Sequence, residues 1–467
     1  MIRDNDPIRI CEWSSRKPDR PLTRQQKKGI TEVIEDWQRT NDLSDTPLWF
    51  SDPEGNTINT RQYVGIIEIA DAVIEIYPKL DGHLLDGDNN NINEKIAGSV
   101  MQNLLWILDV SGHMGITEIE QAGLMESPTN FYDIFALLTA RHLLKELSLG
   151  IHHQYVVVND NTRVVRGKVC ISEQITRNMD RLDLISCEWD EFTPDIPLNR
   201  MLKCACSFLQ SRVRDGNAFM ALMNCITQLE DVSDIDPLTA LNGVISHRWN
   251  RATERFRPVF DLAKRLLQGI GHILSSADTS AFVFLLDMNK VFEEYVKASL
   301  EAYFDVGIDC QERIGYLFTD ISNGRIEQKA DYLWHKEGKS WIGDAKYKHL
   351  AKNQKNSLIF AQIKEDNGDS STPAGKILNP NDVRQLTVYA EIYRKNRQPD
   401  EIPNIMLLYP FVGDGVFESD KAKAWNGSDF IVCPVLMEQD KLKGKLENAL
   451  PFDMRDLLRG NQIEGVC

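Results

Sequence analysis

The chain has 467 residues, 42% of them hydrophobic and 26% charged, which supplies apolar material for two or three globular domains. Lys+Arg 53 against Asp+Glu 69 gives a net charge of −16, which argues against a free-standing protein that coats DNA by broad phosphate neutralisation. It leaves room for DNA contact through one local patch. No apolar run approaches the ~20 residues of a membrane helix, and the opening MIRDNDPIRICEW lacks the apolar core of a secretory signal. Nine Cys, mostly scattered singly, read as reduced thiols of a cytoplasmic protein.

In chain order, a charged amphipathic stretch (Gln25 to Gln38) precedes two β-branched runs, YVGIIEI (63–69) and AVIEIYPKL (72–80). Separated only by Ala70-Asp71, these runs predict a hairpin. A polar loop (81–94) follows, and the pattern is helical from Lys95 to about Leu149. HQYVVVND, turn residues Asn159 to Asn161 and TRVVRGKVCI predict a second hairpin near 153–171. Helical periodicity returns at 199–213 and 257–270. From about Ser280 the chain reads as a helix (FVFLLDMNKVFEEYVKASLEAYF), strands RIGYLF, KADYLWH and SWIGDAKYK, and a polar stretch from Asn353 to Asp382. A helix at 383–396 and strands NIMLLYPF and DFIVCPVLM close it. The expected architecture is multidomain α+β or α/β. It comprises a mixed β/α region (1–94), a helix-rich middle (95–279) and a C-terminal domain (280–467) with a central mixed sheet flanked by helices.

The last region carries the chemistry. Asp331 lies in KADYLW, and Asp344 lies in WIGDAKYK with Lys346 two residues later, on the same face of one strand. The short connection HKEGKS lets the two strands pair and brings the carboxylates together. Adjacent carboxylates repel unless a cation sits between them, and oxygen ligands favour Mg²⁺ or Mn²⁺. A neighbouring Lys stabilises charge on an attacked phosphate or helps deprotonate a water. This D–(13 positions)–D–x–K spacing has the shape of the PD-(D/E)xK nuclease core. The preceding helix offers Glu293 and Glu294, and the following one offers Gln385 and Tyr389 at i and i+4, on one face. Seven Lys (336, 339, 346, 348, 352, 355, 364) against Glu337 and Asp344 form a basic island, read equally as a solvated loop or a DNA-phosphate patch.

In these segments the chain resembles McrC, the nuclease subunit of McrBC modification-dependent restriction systems. The resemblance runs through VGIIEIADAVIEIYPKL, VVRGKVCISEQITRN, IPLNRMLKCACSFL, MNKVFEEYV, ADYLW…IGDAKYK and NDVRQLTVYAEIY with IMLLYP, and it is weakest in the first 60 residues. It implies that Asp331, Asp344 and Lys346 are catalytic, supported by Gln385 and Glu293. Mg²⁺ would be held by Asp331, Asp344 and the carbonyl of Ala345. The resemblance further implies docking on an McrB-like AAA+ GTPase hexamer, which recognises modified double-stranded DNA and whose GTP hydrolysis this subunit stimulates. GTP would then enter only through that partner, in keeping with the lack of a G-x-x-x-x-G-K-[ST] loop here: Gly338-Lys339-Ser340 has Leu333 where the first Gly belongs.

Several other patterns are weaker. Asp86, Asp88 and Asn90 mimic an EF-hand loop but lack its Gly and Glu; His152-His153 and Ser111/His113 lack catalytic context; Arg248, Arg251, Arg255 and Arg257 suit a phosphate contact or a solvated face. Two rival functions remain: a non-catalytic adaptor that activates an AAA+ partner, and a stand-alone PD-(D/E)xK repair nuclease.

Overall fold

The computed structural model describes residues 7–451 apart from 19–20, 44, 52–55, 70–71, 82–83, 85–91, 113–129, 182, 271–280, 318–325, 337, 349–378, 398–400, 414–416 and 444. The chain forms two compact units, one of residues 1–127 with 285–467 and one of 128–284. This grouping differs from the three consecutive segments read from the sequence, because the N-terminal strands and the first long helix pack with the C-terminal region.

The first unit begins with β1 (Ile8–Cys11), β2 (Ser15–Arg16), α1 (Arg24–Thr40), β3 (Leu48–Ser51), β4 (Thr57–Thr60), β5 (Tyr63–Ile69), β6 (Ala72–Tyr77) and α2 (Glu94–Val110). Thr23 caps α1 through a reciprocal capping box with Gln26, and Ile30, Val33, Ile34 and Trp37 form its buried stripe. β5 and β6 pair antiparallel, as their alternation predicts, while β1 joins β6 in parallel. The connection at Ala70-Asp71 lies outside the described residues. Asn103 of α2 ties distant segments: its Nδ2 donates to Leu80 O (2.9 Å) and its Oδ1 accepts from Gln439 N–H (3.0 Å).

The second unit holds α3 (Phe131–Ser148), β7 (Gln154–Thr162), β8 (Lys168–Val169), α4 (Ile171–Arg177), β9 (Ile185–Thr193), α5 (Pro197–Gln210), α6 (Gly216–Gln228), α7 (Pro237–Gly243) and α8 (Arg257–Ile270). Here the expected hairpin at 153–171 is corrected. β7 runs straight through Asn159–Asn161 and pairs over nine residues with β9, which also pairs with β8. The acid-rich CEWDEFT disguised β9, yet it offers a partner as long as β7, whereas 162–171 holds only the two-residue β8. Gly167 permits the close approach: its φ is +65°, and a Cβ there would lie 2.4 Å from Glu188 O. Gly167→Ala is expected to destabilise this sheet by about 1–3 kcal/mol, seen as faster proteolysis in the β7–β9 region; unchanged protection would contradict the packing. The sheet exposes apolar side chains, with Tyr155 68%, Val157 62% and Phe192 59% exposed.

The first unit resumes in β10 (Ala281–Asp287), whose residues Leu285–Asp287 return the chain to the N-terminal sheet, ordered β1-β6-β5-β10. The sequence pattern predicts one helix over FVFLLDMNKVFEEYVKASLEAYF. Its first residues form the buried strand β10 instead, and α9 (Met288–Phe304) starts where the Asp287 side chain caps Asn289 N–H. A fully apolar run of this length suits a strand buried on both faces. Then follow β11 (Asp309–Tyr316), β12 (Glu327–Lys336), β13 (Lys339–Ala345), α10 (Pro380–Asn396), β14 (Asn404–Phe411), β15 (Asp420–Lys423), β16 (Asp429–Leu436) and α11 (Gln439–Leu442). The sheet order is β11-β12-β13-β14-β16-β15, with β13, β14 and β16 parallel and the remaining pairs antiparallel.

Helices flank this mixed sheet. On the α10 side, Leu386, Tyr389, Ala390 and Tyr393 pack with Ile342, Ile405 and Leu407. On the α9 side, the cross-strand pair Trp334 and Trp341 stacks at 5.7 Å, with Phe304 5.4 Å from Trp334. Gly343 leaves room for these rings, since a Cβ there would lie 3.1 Å from Tyr332 and 3.2 Å from Trp334. Its neighbour in sequence, Asp344, thereby stays in register on the opposite face.

Candidate active site

β12 and β13 form the expected hairpin, with Gly338 (φ +73°) in the turn. That places Gly338 in the strand connection and Lys339-Ser340 at the start of β13, with no helix directly after them to present amides to a phosphate. The ladder pairs Tyr332 with Gly343, so one further step sets Asp331 opposite Asp344.

Asp331, Asp344 and Lys346 meet there. Asp331 Oδ2 accepts the Ala345 N–H at 3.1 Å, and its Oδ1 accepts from Gln311 at 3.2 Å. Lys346 Nζ lies 2.7 Å from Asp344 Oδ2. Asp344 is 1% exposed, and its Oδ1 accepts no hydrogen bond from a described residue. Burial, followed by the charge of Asp331, pushes the Asp344 carboxyl up to about 7, against the lowering effect of Lys346. Burial disfavours the Lys346 ammonium, yet the charge and contact of Asp344 and the charge of Asp331 outweigh it and raise its pKa. The Lys346 backbone is fixed too: its N–H donates to Leu408 O at 2.9 Å, continuing the parallel pairing of β13 with β14.

Glu293 projects from α9 into the same field. Its carboxyl is pushed up to about 7, first by burial and then by Asp331 and Asp287. Tyr332 holds this turn of α9 by donating to Glu293 O at 2.7 Å. From α10, Gln385 Nε2 donates to Tyr389 Oη at 2.7 Å, the i,i+4 pair the spacing predicts. Burial raises the Tyr389 pKa, and Asp344 and Asp331 raise it further, so this hydroxyl also senses the carboxylates.

One nearby acid escaped the sequence reading. Asp382 is buried at the start of α10, its Oδ2 3.3 Å from Tyr409 Oη and 3.4 Å from Lys348 Nζ, and its charge acts on Lys346. It sits at the edge of a polar stretch without period, and only Lys348, two beyond the motif Lys, could have pointed to it.

The groups here that could hold a hard cation are the carboxylates of Asp331 and Asp344. Among the described residues no group of three or more His, Cys, Asp or Glu converges on one point. A buried carboxylate oxygen lacking a donor, beside a second carboxylate, nevertheless fits Mg²⁺ or Mn²⁺, which complete their shells with water and phosphate oxygens.

The remaining patterns lie elsewhere. Arg255 donates to Glu146 O and Gly150 O, capping α3, and Arg257 pairs with Glu254, so neither presents a free guanidinium. His153 stacks on Phe192 at 5.0 Å, and Ser111 caps α2. Asp86, Asp88, Asn90, His113 and the island lysines 352, 355 and 364 lie outside the described residues. Of the other island lysines, Lys336 donates to Phe304 O, while Lys346 and Lys348 pair with acids of the site. The described cysteines are free thiols, and the buried Cys225 Sγ donates to Ala140 O at 3.6 Å. No described helix is long and apolar enough to cross a membrane.

The fold has a solved counterpart. A chain of the refined half-complex from a tetradecameric assembly of Thermococcus gammatolerans McrB AAA+ hexamers with bound McrC superposes with a TM-score of 0.62 at 19% identity, covering 97% of this chain and 100% of that one. A chain of the Thermococcus gammatolerans McrBC complex solved by cryo-EM aligns with a TM-score of 0.42 at 22% identity, over 63% of this chain and 87% of that one. No individually curated protein matches in sequence. Residues 58–410, more than half of the chain, match the family described as McrBC 5-methylcytosine restriction system component, and the chain belongs to that family.

Proposed function

We propose that this chain is the McrC-type endonuclease subunit of an McrBC-like system and hydrolyses DNA phosphodiester bonds with Mg²⁺. The observation that carries this reading is the junction of β12 and β13, where a buried Asp344, a hydrogen-bonded Asp331 and Lys346 meet within one strand pair. Asp331, Asp344 and the carbonyl of Ala345 would hold the ion. When bound, it supplies Lewis-acid polarisation of the phosphate and lowers the pKa of a water. Lys346, anchored through its backbone to Leu408, holds a positive charge where negative charge develops on the attacked phosphate. Glu293 offers a carboxyl whose raised pKa suits proton exchange near neutrality, and the Gln385–Tyr389 pair orients polar groups along the same edge.

We further infer dependence on an AAA+ GTPase partner that delivers modified DNA. The chain carries −16 overall, 1–279 contributing 29 basic against 40 acidic residues and 280–467 contributing 24 against 29. A protein so acidic binds free DNA weakly. The exposed apolar residues of the β7–β9 sheet give the second unit a surface suited to a protein partner. The test mixes the chain with its AAA+ partner, GTP, Mg²⁺ and a plasmid bearing 5-methylcytosine. Cleavage is expected only when all are present, and chelation by EDTA should stop it. Cleavage of unmodified DNA by the isolated chain, without nucleotide, favours the stand-alone nuclease. GTPase stimulation with no cutting under any metal or DNA condition favours the adaptor.

A further inference from the structure

The catalytic strand is held from a part of the chain that the nuclease motif does not include. Glu12 follows β1, is 0% exposed, and lies 335 positions before Tyr347. Its Oε1 accepts the Tyr347 hydroxyl at 2.6 Å and the Lys79 N–H at 2.9 Å, while its own N–H donates to Tyr77 O at 2.9 Å. Tyr77 ends β6 and Lys79 lies two residues beyond it, so the edge of the N-terminal sheet holds the carboxylate independently of Tyr347. A buried carboxyl with a hydroxyl and an amide directed at one oxygen is costly to place, and its position is correspondingly well defined.

Tyr347 is the residue after Lys346. Its ring is buried against Phe292, with centroids 5.6 Å apart, and Phe292 precedes Glu293 on α9. The chain at Ala345–Tyr347 is therefore held at two successive points, by Leu408 O on the Lys346 N–H and by Glu12 on the Tyr347 hydroxyl. The ammonium of Lys346 reaches Asp344 from between these anchors.

We propose that Glu12, acting through Tyr347, is a positioning residue that fixes Lys346 in the geometry of the β12–β13 site. The N-terminal sheet then forms part of the scaffold of the nuclease site as well as of any docking region. This inference rests on the reading of Asp331, Asp344 and Lys346 as the cutting site.

The experiment uses the full chain with its AAA+ partner, GTP, Mg²⁺ and a 5-methylcytosine plasmid. Cleavage rate at saturating DNA, KM for DNA, partner GTP hydrolysis and melting temperature are measured. Tyr347→Phe keeps the ring and removes the hydroxyl, Glu12→Ala removes the acceptor, and Glu12→Gln keeps an acceptor oxygen. The first two are expected to lower the saturated cleavage rate about ten- to a hundredfold with KM and GTP hydrolysis unchanged, as displacements below an ångström do. The double variant Glu12→Ala/Tyr347→Phe should lose no more than the worse single one, and Glu12→Gln should recover most of the rate. The inference is overturned if Tyr347→Phe, folded as wild type, cuts at the wild-type rate, or if the two losses multiply in the double variant. Failure of the wild type to cut, or wild-type cutting by Lys346→Ala, would instead overturn the assignment of the site.

Discussion

Lys346→Ala and Asp344→Ala are each expected to lower cleavage of 5-methylcytosine-bearing DNA by at least about a hundredfold, while the AAA+ partner hydrolyses GTP at the wild-type rate. Asp344 is the buried carboxylate with an oxygen lacking a donor, and Lys346 is the cation 2.7 Å from it. Removing the first abolishes half of the carboxylate pair, and removing the second leaves phosphate charge unopposed. On the proposed reading both residues act on one reacting phosphate, so the two losses should not multiply. The measurement is a single-turnover cleavage assay beside a GTPase assay in the assembled complex. Cleavage that survives both changes with normal GTP hydrolysis would falsify the assignment.

A second large effect is thermodynamic and needs no partner. The folded-state pKa of Asp344 is raised to about 7, above that of an exposed Asp near 4. Between these values the folded chain binds a proton that the unfolded chain has released. Stability from this group is therefore greatest at low pH and falls as pH rises toward 7, the reverse of a salt-bridged carboxylate with a depressed pKa. Without divalent ions, the stability of wild type is expected to drop relative to Asp344→Asn as pH moves from about 5 to 8, by an amount on the order of a few kcal/mol, read as a fall in its melting temperature. Adding Mg²⁺ at the upper pH should restore wild type and leave Asp344→Asn unmoved, since ligand binding stabilises only the form that binds. The slope with pH is the diagnostic quantity, because the substitution also removes the partner of Lys346. Parallel melting curves for the two proteins, with or without Mg²⁺, would rule out both the buried charge and the cation site.

Much of the site was legible because it is local. Asp331, Asp344 and Lys346 fall within sixteen positions, and strand alternation with a short turn suffices to bring them together. The i,i+4 pairing of Gln385 with Tyr389 follows from helix geometry alone. Glu12 was not legible. It is one acid among 69, and nothing local links it to a tyrosine 335 residues away. Asp382 was obscured for a related reason, since its partners Lys348 and Tyr409 come from opposite sides of the long polar stretch.

The elements divide in the same way. β5, β6, β12, β13, β14 and β16 carry period-two or wholly apolar signals over enough residues to be read directly, and α9 and α10 carry the helical period. Pairing partners were harder. HQYVVVND is legible as a strand, but its continuation through Asn159–Asn161, where a turn is expected, and its choice of β9 over the adjacent 162–171 are matters of ladder length and of Gly167 admitting close backbone contact. The apolar start of β10 was assigned to the following helix because a short apolar run satisfies either period.

By itself, then, the sequence determined the nuclease-like motif, the strands and helices that carry it, the imbalance of charge and the resemblance to one family. These rest on patterns a few residues long, fixed by backbone geometry. Only the tertiary structure decided that residues before 127 pack in the same unit as the motif, and that a buried carboxylate from β1's end anchors the residue beside Lys346. Such contacts are set by which surfaces exclude water together, and that depends on the whole chain at once.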